Sequence, residues 1–291
     1  MKLIKYFFEF LFVIFFFLIF KIIKLKLSSN LSCFLFKKIG PLIRKKNNIY
    51  KNLNFVFPNN NEEDNQKIIN NMWCNYGRTF AEYMFLGFFR KNKSQSIKIS
   101  NQSKLNDLKK LNKPILFFSG HFANFELLAM TIEKNDFEIC ALYRPLNNIF
   151  LNPIMKYLRT KYLCKDQIPK SIPGKSKDGT RQLLDRIKKR KHIALMVDQK
   201  VNEGIKVDLF SRKAATINIP AQLAIKHGYL LVPLEIKRNE NSNFTIDIKD
   251  KIKISSDDDQ FSITKKINSE LEKMILNNPN QWIWTHDRWR I

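Results

Sequence analysis

The sequence is short of the residues that most hydrolytic and redox chemistries need. Only four histidines and four cysteines occur in 291 residues. No G-x-S-x-G elbow is present, which argues against a serine hydrolase of the usual α/β kind. No H-E-x-x-H occurs either, so a zinc hydrolase lacks its ligand pair. Cys33, Cys74, Cys140 and Cys164 are scattered, with no C-x-x-C pair and no histidine at metal-ligand spacing. The pattern predicts free thiols in a reducing compartment and no metal. Glycine is scarce at 8, and the one stretch like a P-loop, Gly174-Lys175-Ser176, has Pro169 where the first glycine should stand. It reads as a basic loop. Acidic residues number 26 against 51 Lys and Arg, a formal net charge of +25.

That imbalance favours an anionic partner: nucleic acid, an acidic lipid surface, or an acidic or phosphorylated substrate. A drift toward Lys, Asn, Ile and Phe also inflates it. No nucleic-acid recognition motif and no regular interleaving of aromatic and basic residues is found, so nucleic acid is not a predicted partner. Hydrophobic residues make up 44% of the chain, enough for a substantial core and too many for disorder.

What is abundant comes first in the chain. Tyr6 to Phe20 is apolar except for Glu9. From Leu3 to Ile23 the run approaches the roughly 20 residues a bilayer demands, although it includes Lys5, Glu9 and Lys21. A cleaved signal peptide would need small residues soon after it, where Lys21, Lys24 and Lys26 stand instead. A lipoprotein signal fits poorly too, because Asn30-Leu31-Ser32 precedes Cys33 and lies well beyond the run. The reading that remains is an uncleaved membrane anchor over residues 1–27, either spanning or lying in the interface, followed by one body over 28–291. Basic residues are far denser after the anchor (Lys21, Lys24, Lys26, Lys37, Lys38, Arg44, Lys45, Lys46) than before it. The positive-inside rule then leaves the body in the cytoplasm.

No internal repeat or long linker is visible. Residues 59–65 form a polar turn leading into a helix over 66–86, which Gly87 would end. Strands are predicted over 114–119, 137–143, 192–197, 230–236 and 244–248. Helices are predicted over 124–133, 153–162, 180–189, 219–227 and 262–276. Strands alternating with helices predict an α/β body with a largely parallel central sheet. In such sheets the active site lies beyond the carboxyl ends of the strands. The segments 119–126, 143–145 and 198–199 all follow strands.

Ser119-Gly120-His121-Phe122-Ala123-Asn124-Phe125-Glu126 is the most informative segment. A strand ends, and a histidine appears five residues before a carboxylate. Within one helix that separation would put the two about 140° apart. The pair makes sense if His121 sits in the turn and Glu126 in the first helical turn, folding back. Glu126 would then fix the imidazole tautomer while the other ring nitrogen takes a proton from a hydroxyl. Against this stands the bland alternative of a turn histidine beside ordinary first-turn charge.

Several blocks in the right order resemble the late acyltransferases of lipid A biosynthesis, the lauroyl and myristoyl transferases of Gram-negative bacteria. His121 through Glu126 resembles that family's H-x-x-x-x-[D/E] motif, and Tyr143-Arg144-Pro145-Leu146-Asn147-Asn148 its Y-R-P-x-x-N block. Val197-Asp198-Gln199 is similar to its D-Q block, followed by residues 209–216. Gln281-Trp282-Ile283-Trp284-Thr285-His286-Asp287-Arg288-Trp289 resembles its closing signature. Glycine is common in the family where Ala123 and Ser211 stand, and tryptophan where Phe125 stands.

The resemblance implies a glycerophosphate-acyltransferase-type α/β fold with an N-terminal membrane helix and an active site at the cytoplasmic surface of the cell inner membrane. It implies transfer of an acyl chain from acyl carrier protein to a hydroxyl of a phosphorylated glycolipid, a lipid A precursor. His121 would be the general base and Glu126 its orienting partner, with no cofactor, metal or covalent acyl-enzyme. Arg144 would hold a phosphate, and Asp198, Gln199, Arg212, Thr216, His286 and Arg288 would contribute to the substrate site. The three closing tryptophans read as packing. Two rivals remain open: an acyltransferase of the same fold acting on a lysophospholipid or aminolipid, and a non-catalytic basic protein that binds membrane or nucleic acid.

Overall fold

The computed structural model describes all residues except 44–45, 92–94, 171–177 and 291. The Gly174-Lys175-Ser176 loop lies outside the described residues. Three helices open the chain: α1 (Lys2–Ile43), α2 (Lys46–Val56) and α3 (Glu62–Glu82). Asn61 caps α3 through a reciprocal box with Asp64: its side chain accepts from the Asp64 amide at 2.8 Å, and the Asp64 carboxylate accepts from the Asn61 amide at 3.4 Å. The predicted helix over 66–86 therefore begins earlier, and it ends at Glu82. A 3₁₀ turn, Tyr83–Phe85, leads into α4 (Leu86–Lys91), so Gly87 lies inside a helix and does not stop one.

The body then alternates as predicted. Its order is β1 (Ile97–Ile99), α5 (Gln102–Lys110), β2 (Ile115–Ser119), α6 (Glu126–Lys134), β3 (Ile139–Tyr143), α7 (Leu151–Tyr162), β4 (Asp166–Pro169), α8 (Asp178–Lys188) and β5 (His192–Met196). A hairpin follows, β6 (Ile205–Leu209) and β7 (Arg212–Thr216), then α9 (Ile219–His227), β8 (Leu230–Arg238), β9 (Phe244–Ile248) and α10 (Gln260–Asn277). Among the described residues seven strands form one sheet in the order β1-β9-β8-β2-β5-β3-β4. Every pairing is parallel except β8 with β9. This is the α/β class with a largely parallel sheet that the alternation predicts.

β2 is central and buried on both faces, which is why it reads as an unbroken apolar run. Ile115 and Phe117 point into the core shared with α3 and α6, while Leu116 and Phe118 point into the one shared with α8, α9 and α10.

The long α1 runs antiparallel to α3. Its backbone breaks at Lys24 (φ 64°, ψ 167°), and Ser28 Oγ donates to the Phe20 and Lys24 carbonyls at 2.8 and 2.6 Å across the break. Small residues let the two helices approach: a Cβ at Gly77 would run into the Ser32 carbonyl. In the same contact Cys33 and Cys74 form a disulfide, with Cα atoms 4.0 Å apart. The expectation of four free thiols is corrected here. Spacing in sequence could not show it, because the two cysteines are 41 residues apart and meet only through helix packing. Cys140 and Cys164 are free and buried. The inference of a reducing compartment from cysteine usage therefore falls away.

A buried ion pair ties α3 to the sheet. Arg238, the last residue of β8, meets Glu82 through both guanidinium ends and also reaches Asn75 Oδ1 at 2.9 Å and Thr79 Oγ1 at 3.0 Å. Glu82 is fully buried and Arg238 nearly so. Removing one partner strands the other charge away from water. We expect Glu82→Ala to lower unfolding stability by about 3–5 kcal/mol, read from denaturant unfolding in detergent micelles. A loss within experimental error would show that water reaches Arg238.

Candidate active site

Strand register builds the site. Ser119 ends β2 and pairs with Met196, the end of β5, and the Val197 amide donates to the Ser119 carbonyl at 2.9 Å just beyond. Counting two residues past each strand end brings His121 and Asp198 out side by side. They lie at the carboxyl edge of the parallel sheet, where α/β folds place ligands. Asp198 Oδ1 lies 2.7 Å from His121 Nδ1, and Oδ2 accepts the His121 amide at 2.7 Å and the Trp282 indole N–H at 2.9 Å. Burial pushes the Asp198 carboxyl up, but the His121 charge and these three hydrogen bonds outweigh it and hold it well below the usual carboxylate range. An anionic Asp198 on Nδ1 fixes the tautomer and leaves Nε2 as the nitrogen on the cavity side. Gln199 Nε2 stands 3.4 Å from that nitrogen and 3.3 Å from His286 Nε2.

The predicted His121–Glu126 contact is replaced. Glu126 opens α6, and its side chain joins a cluster with Arg159 of α7 and Tyr83. Arg159 Nη2 reaches Glu126 Oε1 at 2.5 Å and the Tyr83 oxygen at 3.2 Å, and the Tyr83 hydroxyl donates to Glu126 Oε1. Burial lowers the Arg159 guanidinium, but Glu126 and Tyr83 outweigh it and hold it above its ordinary value. The Tyr83 hydroxyl is raised by burial and by Glu126. The physical reason is helix geometry: from the first position of α6, Glu126 points across to α7, while Phe125 turns its ring edge onto His121 at 4.5 Å. Between them the chain kinks, with Ala123 at φ 46°, a left-handed value that glycine takes without strain. Its carbonyl is clamped by Thr79 Oγ1 at 3.0 Å and Asn75 Nδ2 at 3.2 Å.

Two cavities meet at His121 and Phe125. The larger, about 410 Å³, runs from His121 between β2, β5 and β3 and is walled by Phe117, Leu128, Ile132, Ile139 and Ala194. That size is within the range of small-molecule sites. Arg144, Arg159, Lys170, Gln199 and His286 line it as well. Burial and the Arg144 charge lower the Lys170 ammonium, with Asp198 opposing. The smaller, about 270 Å³, lies on the other side, walled by Phe36 of α1, Phe80 of α3, Tyr83 of the 3₁₀ turn and Ile283 of the C-terminal segment.

Of the residues predicted for the site, His121, Glu126, Arg144, Gln199 and His286 line the larger cavity, and Asp198 stands behind His121. Arg212, Thr216 and Arg288 line neither cavity. Arg212 is exposed, its guanidinium 3.9 Å over the Phe55 ring. Arg288 is fully buried, donating to the Ala215 carbonyl at 3.1 Å and to Thr216 Oγ1 at 2.6 Å. Burial lowers its guanidinium to about 10, with Asp198 opposing. Thr216 and Arg288 fasten the C-terminal segment to β7, away from both cavities. The closing tryptophans are buried, and Trp282 also donates to Asp198.

Tyr83, Arg159 and Lys170 were not predicted. Lys170 follows β4 as His121 follows β2, a signal available once β4 is recognised. Arg159 and Tyr83 carry no local signal.

The model of the bacterial lipid A biosynthesis acyltransferase family matches residues 1–291. A lipid A biosynthesis palmitoleoyltransferase of Escherichia coli (strain K12) is 22% identical over 270 residues, 89% of this chain and 84% of that protein. A lipid A biosynthesis acyltransferase of Shigella flexneri matches to the same extent. The crystal structure of the 1-acyl-sn-glycerophosphate acyltransferase PlsC from Thermotoga maritima aligns with 89% of this chain and 100% of its own, at a TM-score of 0.38 and 11% identity.

The depressed Asp198 carboxyl makes a stability prediction. A carboxylate whose folded pKa lies below its unfolded value, about 3.9, stabilises the fold above that pH and loses the contribution as pH falls through the folded value. We expect Asp198→Asn to be less stable than wild type at pH 7, with the gap narrowing below about pH 4. Unfolding curves from pH 7 to pH 3 measure it; a constant gap would mean that the carboxylate charge contributes nothing.

Proposed function

The chain belongs to the bacterial lipid A biosynthesis acyltransferases, and from that premise we propose that it moves a fatty acyl chain from acyl carrier protein to a hydroxyl of a phosphorylated lipid A precursor at a membrane surface. The observation that carries this reading is the Asp198–His121 dyad at the meeting point of two cavities. His121 Nε2 takes the proton of the acceptor hydroxyl as its oxygen attacks the thioester carbonyl carbon. The tetrahedral intermediate collapses, the carbon–sulfur bond breaks, and the thiolate leaves with the proton that the imidazolium returns. Asp198 holds the tautomer and stabilises the transient imidazolium. A thioester carries its own good leaving group, so the dyad needs no covalent acyl-enzyme.

The donor chain takes the larger apolar cavity. The smaller cavity, on the membrane-helix side of His121, takes the hydroxyl-bearing chain of the acceptor. Arg144 and Lys170 at the larger cavity supply cations for a phosphate. Glu126 is the anchor of Arg159 in the cavity wall, in place of the imidazole-orienting role that the motif implies. The net charge of +25 suits both an acidic carrier protein and a phosphorylated lipid.

The primary test is transfer from labelled acyl carrier protein to a tetra-acylated lipid A precursor in detergent. His121→Ala should cost about 10²–10⁴-fold in rate, and Asp198→Asn a loss of the same order. The double variant should be little worse than His121→Ala alone, because the two residues act as a unit. Glu126→Gln should combine additively with either. An additive His121–Asp198 pair would overturn the dyad. Transfer only to a lysophospholipid or aminolipid would overturn the acceptor, and equal transfer by wild type and His121→Ala would sink the mechanism.

The cavity assignment has its own test. Ala194→Phe fills part of the apolar slot, and removing seats for about four methylenes at about 0.8 kcal/mol each costs roughly 10²-fold in kcat/KM for a long donor. Donors shorter by about four carbons should be spared. Equal losses for long and short donors would place the chain elsewhere.

A further inference from the structure

The first segment of α1, from Lys2 to the break at Lys24, is apolar over most of its surface and about 33 Å long at 1.5 Å per residue. By length it could cross a bilayer. Its contacts argue otherwise. Near the start, Asn148 Nδ2 donates to the Tyr6 carbonyl at 2.8 Å and to Glu9 Oε2 at 3.2 Å, and the rings of Phe7 and Phe10 lie 5.7 and 5.8 Å from Phe150. Near the end, Phe17 and Phe20 are buried against Phe80 at 5.2 and 6.0 Å. Both ends of the segment therefore rest on the same catalytic body. A crossing helix would hold Tyr6 about 26 Å deep from Ile23, and would carry Asn148, Phe150 and the rim of the larger cavity into or through the hydrocarbon. Glu9 and Lys5, an ion pair at 3.8 Å, would go with them at a cost of several kcal/mol.

The opposite face is just as apolar and bare. Ile4, Phe8, Leu11, Phe15, Leu18 and Ile22 are all exposed, spaced four, three, four, three and four, which is one stripe of a helix. Ile149, exposed between the two residues that grip the segment, and Leu146, exposed on the cavity rim, extend this surface to the mouth of the site. Lysines flank the stripe at Lys2, Lys5, Lys21, Lys24 and Lys26, matching anionic headgroups.

We propose that residues 2–23 lie in the plane of a single leaflet, with one face on the catalytic body and the other in the acyl region, and do not cross the bilayer; the leaflet is the cytoplasmic one because the proposed donor, acyl carrier protein, is a soluble protein of that compartment. An interfacial helix sinks about 5–10 Å into the headgroup and acyl boundary. That depth brings the cavity mouth, tied to the helix through Asn148, to the level where a lipid hydroxyl can enter. The proposal rests on the membrane reading above.

Topology labelling separates the two. Lys2 is exposed, so Lys2→Cys adds a reactive thiol, and the unaltered protein, with Cys140 and Cys164 buried and Cys33 bonded to Cys74, is the control. The protein is expressed in a Gram-negative host, and an impermeant maleimide is applied to intact spheroplasts and to inverted membrane vesicles. We expect Cys at position 2 to react only in inverted vesicles. Reaction in intact spheroplasts would overturn the proposal, while recovery of the protein in the soluble fraction would overturn the membrane reading itself. As a second measurement, Glu9→Cys with Asn148→Cys should be joined in membranes by a short bis-maleimide. Modification of both thiols without cross-linking would also overturn it.

Discussion

The Asp198 carboxylate is the constraint on which the site depends. It is buried and charged, and it survives there because three donors from two other segments converge on it: the amide and the ring of His121, and the indole of Trp282. Each of those segments is thereby fixed. The loop after β2 is held at the height of the loop after β5, and the C-terminal segment is drawn across both. A charge this deep is costly unless every lone pair is engaged, so the arrangement has little freedom to relax. Its consequence for chemistry is a preset tautomer and an Nε2 that faces the cavities.

A second layer of polar contacts holds the frame around that carboxylate. Arg238 joins β8 to Glu82 on α3, Asn124 Nδ2 reaches the same Glu82 at 2.9 Å, and Asn75 and Thr79 clamp the strained Ala123 carbonyl. The left-handed kink at Ala123 costs energy for any side-chain-bearing residue. It persists because α3 over-determines it, and it is what turns Phe125 onto His121 and sends Glu126 toward Arg159. The helix that packs against the apolar N-terminal segment thus also shapes the loop that carries His121.

Much of this was legible in the sequence, and the failures have physical causes. The central strands were visible because burial on both faces leaves unbroken apolar runs, and the rule that sites follow parallel strands singled out 119–126 and 198–199. Nearness in sequence points to Glu126 as the partner of His121. The true neighbour is set by β2 pairing with β5, a contact between positions 77 residues apart that no local pattern encodes. β4 was missed because it is four residues long and ends in proline. The β6–β7 hairpin was missed because its turn, Phe210-Ser211, has both φ values positive (52° and 61°) without the glycine or asparagine that announces such turns. The disulfide was hidden for the same non-local reason as the dyad.

The first helix shows where composition alone stops. A run of about 20 apolar residues satisfies a spanning helix and an in-plane helix equally, since both need two apolar surroundings and hydropathy does not say which they are. Contacts do. A lone spanning anchor clear of its own domain meets lipid around its whole circumference, whereas this one gives one stripe to Phe80 and Phe150 and leaves the other bare. Glu9, an anomaly for a spanning segment, becomes intelligible as the acceptor for Asn148 at the cavity rim. Glu9, the residue that fits an apolar membrane helix least well, is the one that ties the N-terminal segment to the rim of the cavity beside His121.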